Sequence, residues 1–260
     1  MPTLPLLLAA LLILLTSIFL RILLILPSLN PRPPTPFPRP PGTPTHLLIV
    51  LGSGGHTAEM LSLLHNLDPN RYTHRSYVVS SGDEFSAERA REFERGLRGK
   101  GKGKGKGKGG GNDRSGNGNE NRNDEGKGFS IHLIPRARTI HQPLLSTPFT
   151  SLRCLYASLI LLYNHPHGYP DLVLTNGPAT ALMVILASTI IRFFAFMPVI
   201  GRPGTVEKMR TIYVESWARV KRMSLSGRII VWCGLCNRVV VQWKGLEERG
   251  WGEYRGALVR

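Results

Sequence analysis

The pattern that most constrains this chain is a repeated handover from a short apolar run, through a turn, to a stretch with helical spacing. HLLIVLG (46–52) ends in glycine and precedes TAEMLSLLHNL, where Met60, Leu63, Leu64 and Leu67 recur at helical intervals. RSYVVS (75–80) precedes a charged helical stretch at 84–97, and FSIHLIP (129–135) precedes a helix near 147–163. DLVLTNG (171–177) is followed by an apolar helix from 178 to about 194, and RTIYVES (210–216) and RVVVQW (238–243) add two more strands. Strands alternating with helices argue for an α/β fold, a Rossmann-like parallel sheet over 46–243.

Two segments flank that unit in front. The run LPLLLAALLILLTSIFLRILLIL (4–26) is nearly all apolar, and about 20 such residues suffice to cross the hydrocarbon core of a bilayer. No positive charge precedes it and no small-x-small cleavage site follows it, which favours a retained anchor over a removed signal peptide. Residues 1–28 are thus expected to be a single transmembrane anchor. Arg21, Arg32 and Arg39 lie towards or beyond its C-terminal end, an asymmetry that keeps the bulk of the chain cytosolic. Residues 29–45 include PSLNPRPPTPFPRPPGTP from 27 onward and read as an extended proline-rich spacer. Residues 96–128, with their KGKGKGKGKGGG tract, offer no apolar surface to bury and are expected to be a disordered insertion.

Charge narrows the partners less than it first suggests. Lys and Arg number 33 against 17 Asp and Glu, a formal charge of +16, which favours acidic partners such as diphosphates or anionic lipid. The stretch 95–127 alone holds ten basic and four acidic residues, without interleaved aromatics for base stacking, so no nucleic-acid partner is expected. The three cysteines, Cys154, Cys233 and Cys236, form no disulfide framework. Cys233 and Cys236 have CxxC spacing but lack two further ligands, so they read as small buried hydrophobes, and neither metal nor cofactor is expected.

The richest chemistry lies in GSGGHTAE (52–59), where the first strand hands over to a helix. Glycine frees backbone N–H groups and the positive helix end converges on the same spot, a setting that suits an anion such as phosphate. The spacing is neither G-x-G-x-x-G nor G-x-x-x-x-G-K-[ST]. Gly54, Gly55, His56 and Thr57 are the candidate contacts; a tight turn capped by Thr57 or Ser53, with His56 on the surface, is the plain alternative. Asn176 ends the fourth strand and Glu215 the fifth, on the carboxyl edge where open parallel sheets collect ligands. Either side chain would meet a ligand or fix its own loop. The tail 244–260 carries Trp251, Tyr254, Leu258 and Val259 among charges, residues suited to a partner groove or to folding back on the domain.

Six motifs in this order, GSGGHTAEM, YVVSSGD, IPRAR with the Gln142 region, DLVLTNGPAT, YVESWARVKRMSLSG and VVVQW, resemble the membrane-anchor subunit of the eukaryotic UDP-N-acetylglucosamine transferase that adds the second sugar to the dolichol-diphosphate precursor of N-glycans. That family is in turn similar to the N-terminal, acceptor-binding half of the bacterial GT-B transferase making the lipid-linked peptidoglycan precursor. The resemblance implies an endoplasmic-reticulum protein that recruits a soluble donor-binding subunit and is inactive alone. It also implies that Gly54, Gly55, His56 and Thr57 contact the acceptor diphosphate of GlcNAc-diphosphodolichol, that Asn176 and Glu215 line the cleft, with His56 and Glu215 the catalytic candidates, and that 244–260 docks the partner, which holds most of the UDP-GlcNAc site. The alternatives are an autonomous membrane-tethered α/β enzyme using a nucleotide cofactor and, on charge alone, a nucleic-acid binder.

Overall fold

The computed structural model describes residues 3–29, 43–102, 128–138, 142–177, 179–195, 208–256 and 258. Most of the proline spacer, the bulk of the Gly/Lys insertion, the loop 201–207 and Val259 therefore lie outside the described residues.

Seven strands form one sheet: β1 (His46–Val50), β2 (His74–Ser80), β3 (Phe129–Ile134), β4 (Leu172–Asn176), β5 (Arg210–Val214), β6 (Arg238–Val241) and β7 (Glu253–Tyr254). Their order is β3-β2-β1-β4-β5-β6-β7 and every pairing is parallel. The chain therefore runs outward from β1 to β3, crosses back, and resumes on the other side of β1. Val50 pairs with Val78 of β2 on one side and Thr175 of β4 on the other, so β1 and β4 flank the point where strand order reverses. Ligands in such sheets bind beyond the carboxyl ends at that point.

Helices cover both faces, which is why β1 is apolar almost throughout rather than alternating. Leu47, Ile49 and Leu51 point to the layer of α2 (Gly55–Leu63) and α3 (Glu84–Lys102), meeting Met60, Ala87 and Ala90. Leu48 and Val50 point to α4 (Thr147–Tyr163) and α5 (Ala179–Phe193), meeting Cys154, Leu162 and Val184. A third cluster joins α5 to α6 (Leu225–Trp232) and α7 (Lys244–Glu247) through Ile185, Tyr213, Ile230 and Leu246. Beneath α3, Glu94 is fully buried and accepts from Arg75 Nε at 2.6 Å, Arg75 Nη2 at 2.7 Å and Tyr77 Oη at 2.8 Å. Burial, then the carboxylate beside it, pushes the Tyr77 phenol far up.

The N-terminal helix α1 (Thr3–Ile25) is long and apolar enough to cross a membrane, with a mean hydropathy of 2.7 over its span. Its last turns dock on the end of α5. Arg21 donates to the Phe193 and Arg192 carbonyls at 3.1 Å each, and Arg192 donates back to the Ile25 carbonyl at 2.9 Å. Each guanidinium thus caps carbonyls at the C-terminal end of the partner helix.

Three expectations need adjusting. α3 runs on to Lys102 rather than stopping at 97, since extending an existing helix adds one backbone bond per residue even through poor formers. Cys233 is exposed, because it is the residue that ends α6 and faces outward, whereas Cys236 turns back into the third cluster. The tail also serves this domain: Tyr254 forms β7 beside Val241, and Trp251 and Tyr254 pack against the third cluster.

Candidate functional site

β1 ends at Val50, and the turn that follows reaches α2 through Gly54, at φ 62° and ψ −121°. That backbone is left-handed and favours glycine. Gly54 is also the N-terminal cap, and no side chain among the described residues caps the helix. A Cβ at Gly55, the first helical residue, would meet nothing within 4 Å among the described residues. The first turn of α2 therefore presents its backbone to open space with the positive end of the helix behind it, the arrangement that receives anions.

His56 sits over this turn with its side chain 31% exposed and its Nδ1 buried. The ring lies so close to Gly177 that a Cβ there would stand 2.8 Å from Cγ and Nδ1. Gly177 has φ 82° and directly follows β4. The glycine is thus needed twice, for its left-handed backbone and for the space the imidazole fills. Thr57, in contrast, turns inward: its hydroxyl donates to the Gly52 carbonyl and lies 2.7 Å from Ser86 Oγ.

Glu59 organises the site, and the sequence reading assigned it nothing. It stands one turn after His56 on α2, with Oε2 3.5 Å from His56 Nδ1, longer than a good hydrogen bond. The same oxygen accepts from Asn176 Nδ2 at 3.0 Å. Oε1 accepts from Ser216 Oγ at 3.0 Å and from the Trp217 backbone N–H at 3.2 Å. One carboxylate therefore fastens α2 to the ends of β4 and β5. The H-x-x-E spacing was the available signal, since i and i+3 share a helix face.

Asn176 is fully buried, and its Oδ1 accepts no hydrogen bond from the described residues. Glu215 is buried too, and its carboxylate is spent on its own loop. Oε1 accepts from the Ser216 N–H at 3.0 Å, while Oε2 accepts from Ser224 N and Oγ at 3.0 Å each. Ser224 in turn caps α6 by accepting from the Gly227 N–H. Trp217 and Trp243 form a lip beside these strand ends, with ring centroids 4.5 Å apart and Trp243 Nε1 donating to the Trp217 carbonyl at 2.7 Å. His56 and Asn176 are brought together through Glu59, whereas Trp251 and Tyr254 lie at the β6–β7 edge.

A separate groove of about 590 Å³ runs between β3 and α4, lined by Leu133, Arg153, Tyr156 and Ile160. Along α4 an apolar stripe stays exposed: Leu145 just before it, then Phe149, Leu152, Tyr156 and Ile160 at helical spacing.

A wholly parallel sheet, with a glycine turn at its reversal point and a histidine and a carboxylate beside it, defines an α/β protein of the Rossmann-like class. The chain belongs to the family described as Oligosaccharide biosynthesis protein Alg14 like, which matches residues 47–258. Among its relatives, the UDP-N-acetylglucosamine transferase subunit alg14 of Aspergillus fumigatus is 36% identical, over 77% of this chain and 100% of that protein. The subunit of the same name from Schizosaccharomyces pombe is 34% identical over 77% of each chain, and the human one 32% over 78% of this chain and 77% of its own. Of solved structures, MurG of Acinetobacter baumannii is similar at 12% identity and a TM-score of 0.43; this chain covers 43% of its length.

Proposed function

We propose that this chain is the membrane-anchored, acceptor-side subunit of a UDP-N-acetylglucosamine transferase at the cytosolic face of the endoplasmic reticulum. It recruits a soluble donor-binding subunit, and together they add the second sugar to GlcNAc-diphosphodolichol. The observation that carries this reading is the open, uncapped first turn of α2 at the sheet's reversal point, with the His56 ring over it. In this reading the Gly54, Gly55 and His56 segment meets the acceptor diphosphate through backbone N–H groups and the imidazole. Thr57 and the Asn176 amide support it, because the Thr57 hydroxyl and Asn176 Nδ2 already face protein partners. Glu215 shapes the loop that carries Trp217, so His56 is the group placed to hold or move a proton.

The membrane side fits a lipid-linked substrate. α1 supplies the anchor, and the exposed stripe on α4 offers apolar surface to the bilayer. Leu258 and the outer faces of Trp251 and Tyr254 remain the tail's contribution to partner docking, with Val259 beyond them.

The test is transfer from UDP-GlcNAc to a GlcNAc-diphosphate lipid, measured on this chain co-expressed with its donor-binding partner. A Cβ at Gly55 meets no described protein atom, so Gly55→Val should abolish activity by filling the space before the turn while the partner still co-purifies. His56→Ala should lower kcat. Unchanged kinetics for both variants would overturn the assignment of the site.

A further inference from the structure

Five of the eight histidines gather at the end of the sheet opposite the candidate active site. His46 is the first residue of β1 and His74 the first of β2, while His165 and His167 lie in the loop between α4 and β4. His132 projects from β3 onto the same cluster, its ring 5.0 Å from that of His165.

From this cluster we infer that His46, His74 and His165 bind one divalent transition-metal ion, with zinc the best fit. One ring nitrogen from each of the three lies within 4.8 Å of the others, and all three residues are buried. A tetrahedral zinc with bonds of about 2.0–2.1 Å wants its nitrogens about 3.3 Å apart, so modest ring rotations would close the site. His132 and His167 stand beside it to supply a fourth ligand; the His167 ring stacks on His74 at 3.6 Å. Imidazoles without thiolate or carboxylate ligands suit zinc, copper or nickel and disfavour magnesium and calcium.

Two further observations point the same way. Ser76 Oγ lies 2.8 Å from Nε2 of both His46 and His165, and Ser130 Oγ lies 3.4 Å from Nε2 of His74. Such hydroxyls behind imidazoles orient rings and set their tautomers. They also form a self-sufficient hydrogen-bonded network for the Nε2 atoms, which is the competing explanation of the cluster. That network leaves His46 Nδ1 over: it is buried and makes no hydrogen bond of good geometry, although the Gly168 backbone lies near enough to favour its proton. The ion would tie together β1, β2 and the loop into β4, the strands that place the catalytic-side turn, and its role is structural.

The experiment uses the detergent-extracted full chain, purified without a polyhistidine tag and stripped with a chelator. Zinc is titrated against a chromophoric competitor, and cobalt is added in parallel to read coordination by visible absorption. Uptake of about one zinc per chain, with a rise in Tm and the intense absorption of tetrahedral cobalt, is expected. His165→Gln, in a loop and so least harmful to folding, should abolish both while the far-ultraviolet spectrum stays unchanged. Ser76→Ala should weaken binding about tenfold through loss of ring orientation. His65→Gln, an exposed histidine outside the cluster, is the control and should bind as the parent does. No uptake by the parent chain would show that the histidines form only a hydrogen-bonded network. Uptake that survives His165→Gln would place the metal elsewhere, and either result overturns the proposal.

Discussion

Glu59 and Asn176 lie 117 residues apart and meet at 3.0 Å, the Asn176 amide donating to the Glu59 carboxylate. This contact joins the first helix after β1 to the end of β4 across the sheet's reversal point. In the proposed site Glu59 is a positioning residue for His56, and the residue to vary first. Glu59→Ala leaves Asn176 Nδ2 and Ser216 Oγ without their acceptor, and an unsatisfied buried group costs about 1–3 kcal/mol. The melting temperature should fall and kcat should drop at least about tenfold, equivalent to about 1.4 kcal/mol in the barrier. Glu59→Gln keeps the shape and one acceptor oxygen. It should restore most of the stability but not the rate, a split that a merely structural carboxylate would not produce.

Gly177→Ala tests the seat of the His56 ring. The added methyl would stand 2.8 Å from the imidazole, on a backbone at φ 82° that costs an L-residue about 1–2 kcal/mol. The ring must swing outward. Transfer activity should fall more than thermal stability does, measured as kcat against Tm; a variant that lost stability alone would place the ring outside the chemistry.

The docking of α1 on α5 refines where the proposed anchor can be cut. Ile25 is buried, and Arg21 holds the Phe193 and Arg192 carbonyls. Removing residues 1–20 should release the chain from membranes with little loss of stability. Arg21→Leu should leave it membrane-bound through a carbonate wash but lower its stability by about 1.5–3 kcal/mol, the range for hydrogen bonds to a charged group. A soluble Arg21→Leu chain, or a membrane-bound 21–260 fragment, would contradict this division.

Thiol reactivity reports the packing of the three cysteines. Burial pushes Cys154 up to about 11 and Cys236 up to about 12, while Cys233 is exposed. The thiolate is the reactive form, so at pH 8 a native sample should be alkylated at Cys233 alone, and at all three sites in denaturant. Raising the pH towards 10 should speed the Cys154 reaction before that of Cys236. Rapid native labelling of Cys236 at pH 8 would mean that the third cluster is open.

How much of this protein could be read from the chain follows from the range of each interaction. The apolar run before residue 26, the six longer strands and the glycine turn before His56 depend on near neighbours and on periods of 2 and 3.6, so the sequence by itself determined the long apolar N-terminal helix, the α/β class and the position of the glycine turn. What depended on strand order was decided only in three dimensions. β4 lies beside β1 because the chain crosses back after β3, and that return puts Asn176 and Gly177 against Glu59 and His56. It likewise gathers His46, His74 and His165 from three separate segments. No local pattern distinguishes a histidine at the start of a strand that meets two others from one that faces water. Glu215 is the converse case, conspicuous in the sequence yet used by the fold for a loop, because a carboxylate buried beside three donors is already satisfied at home.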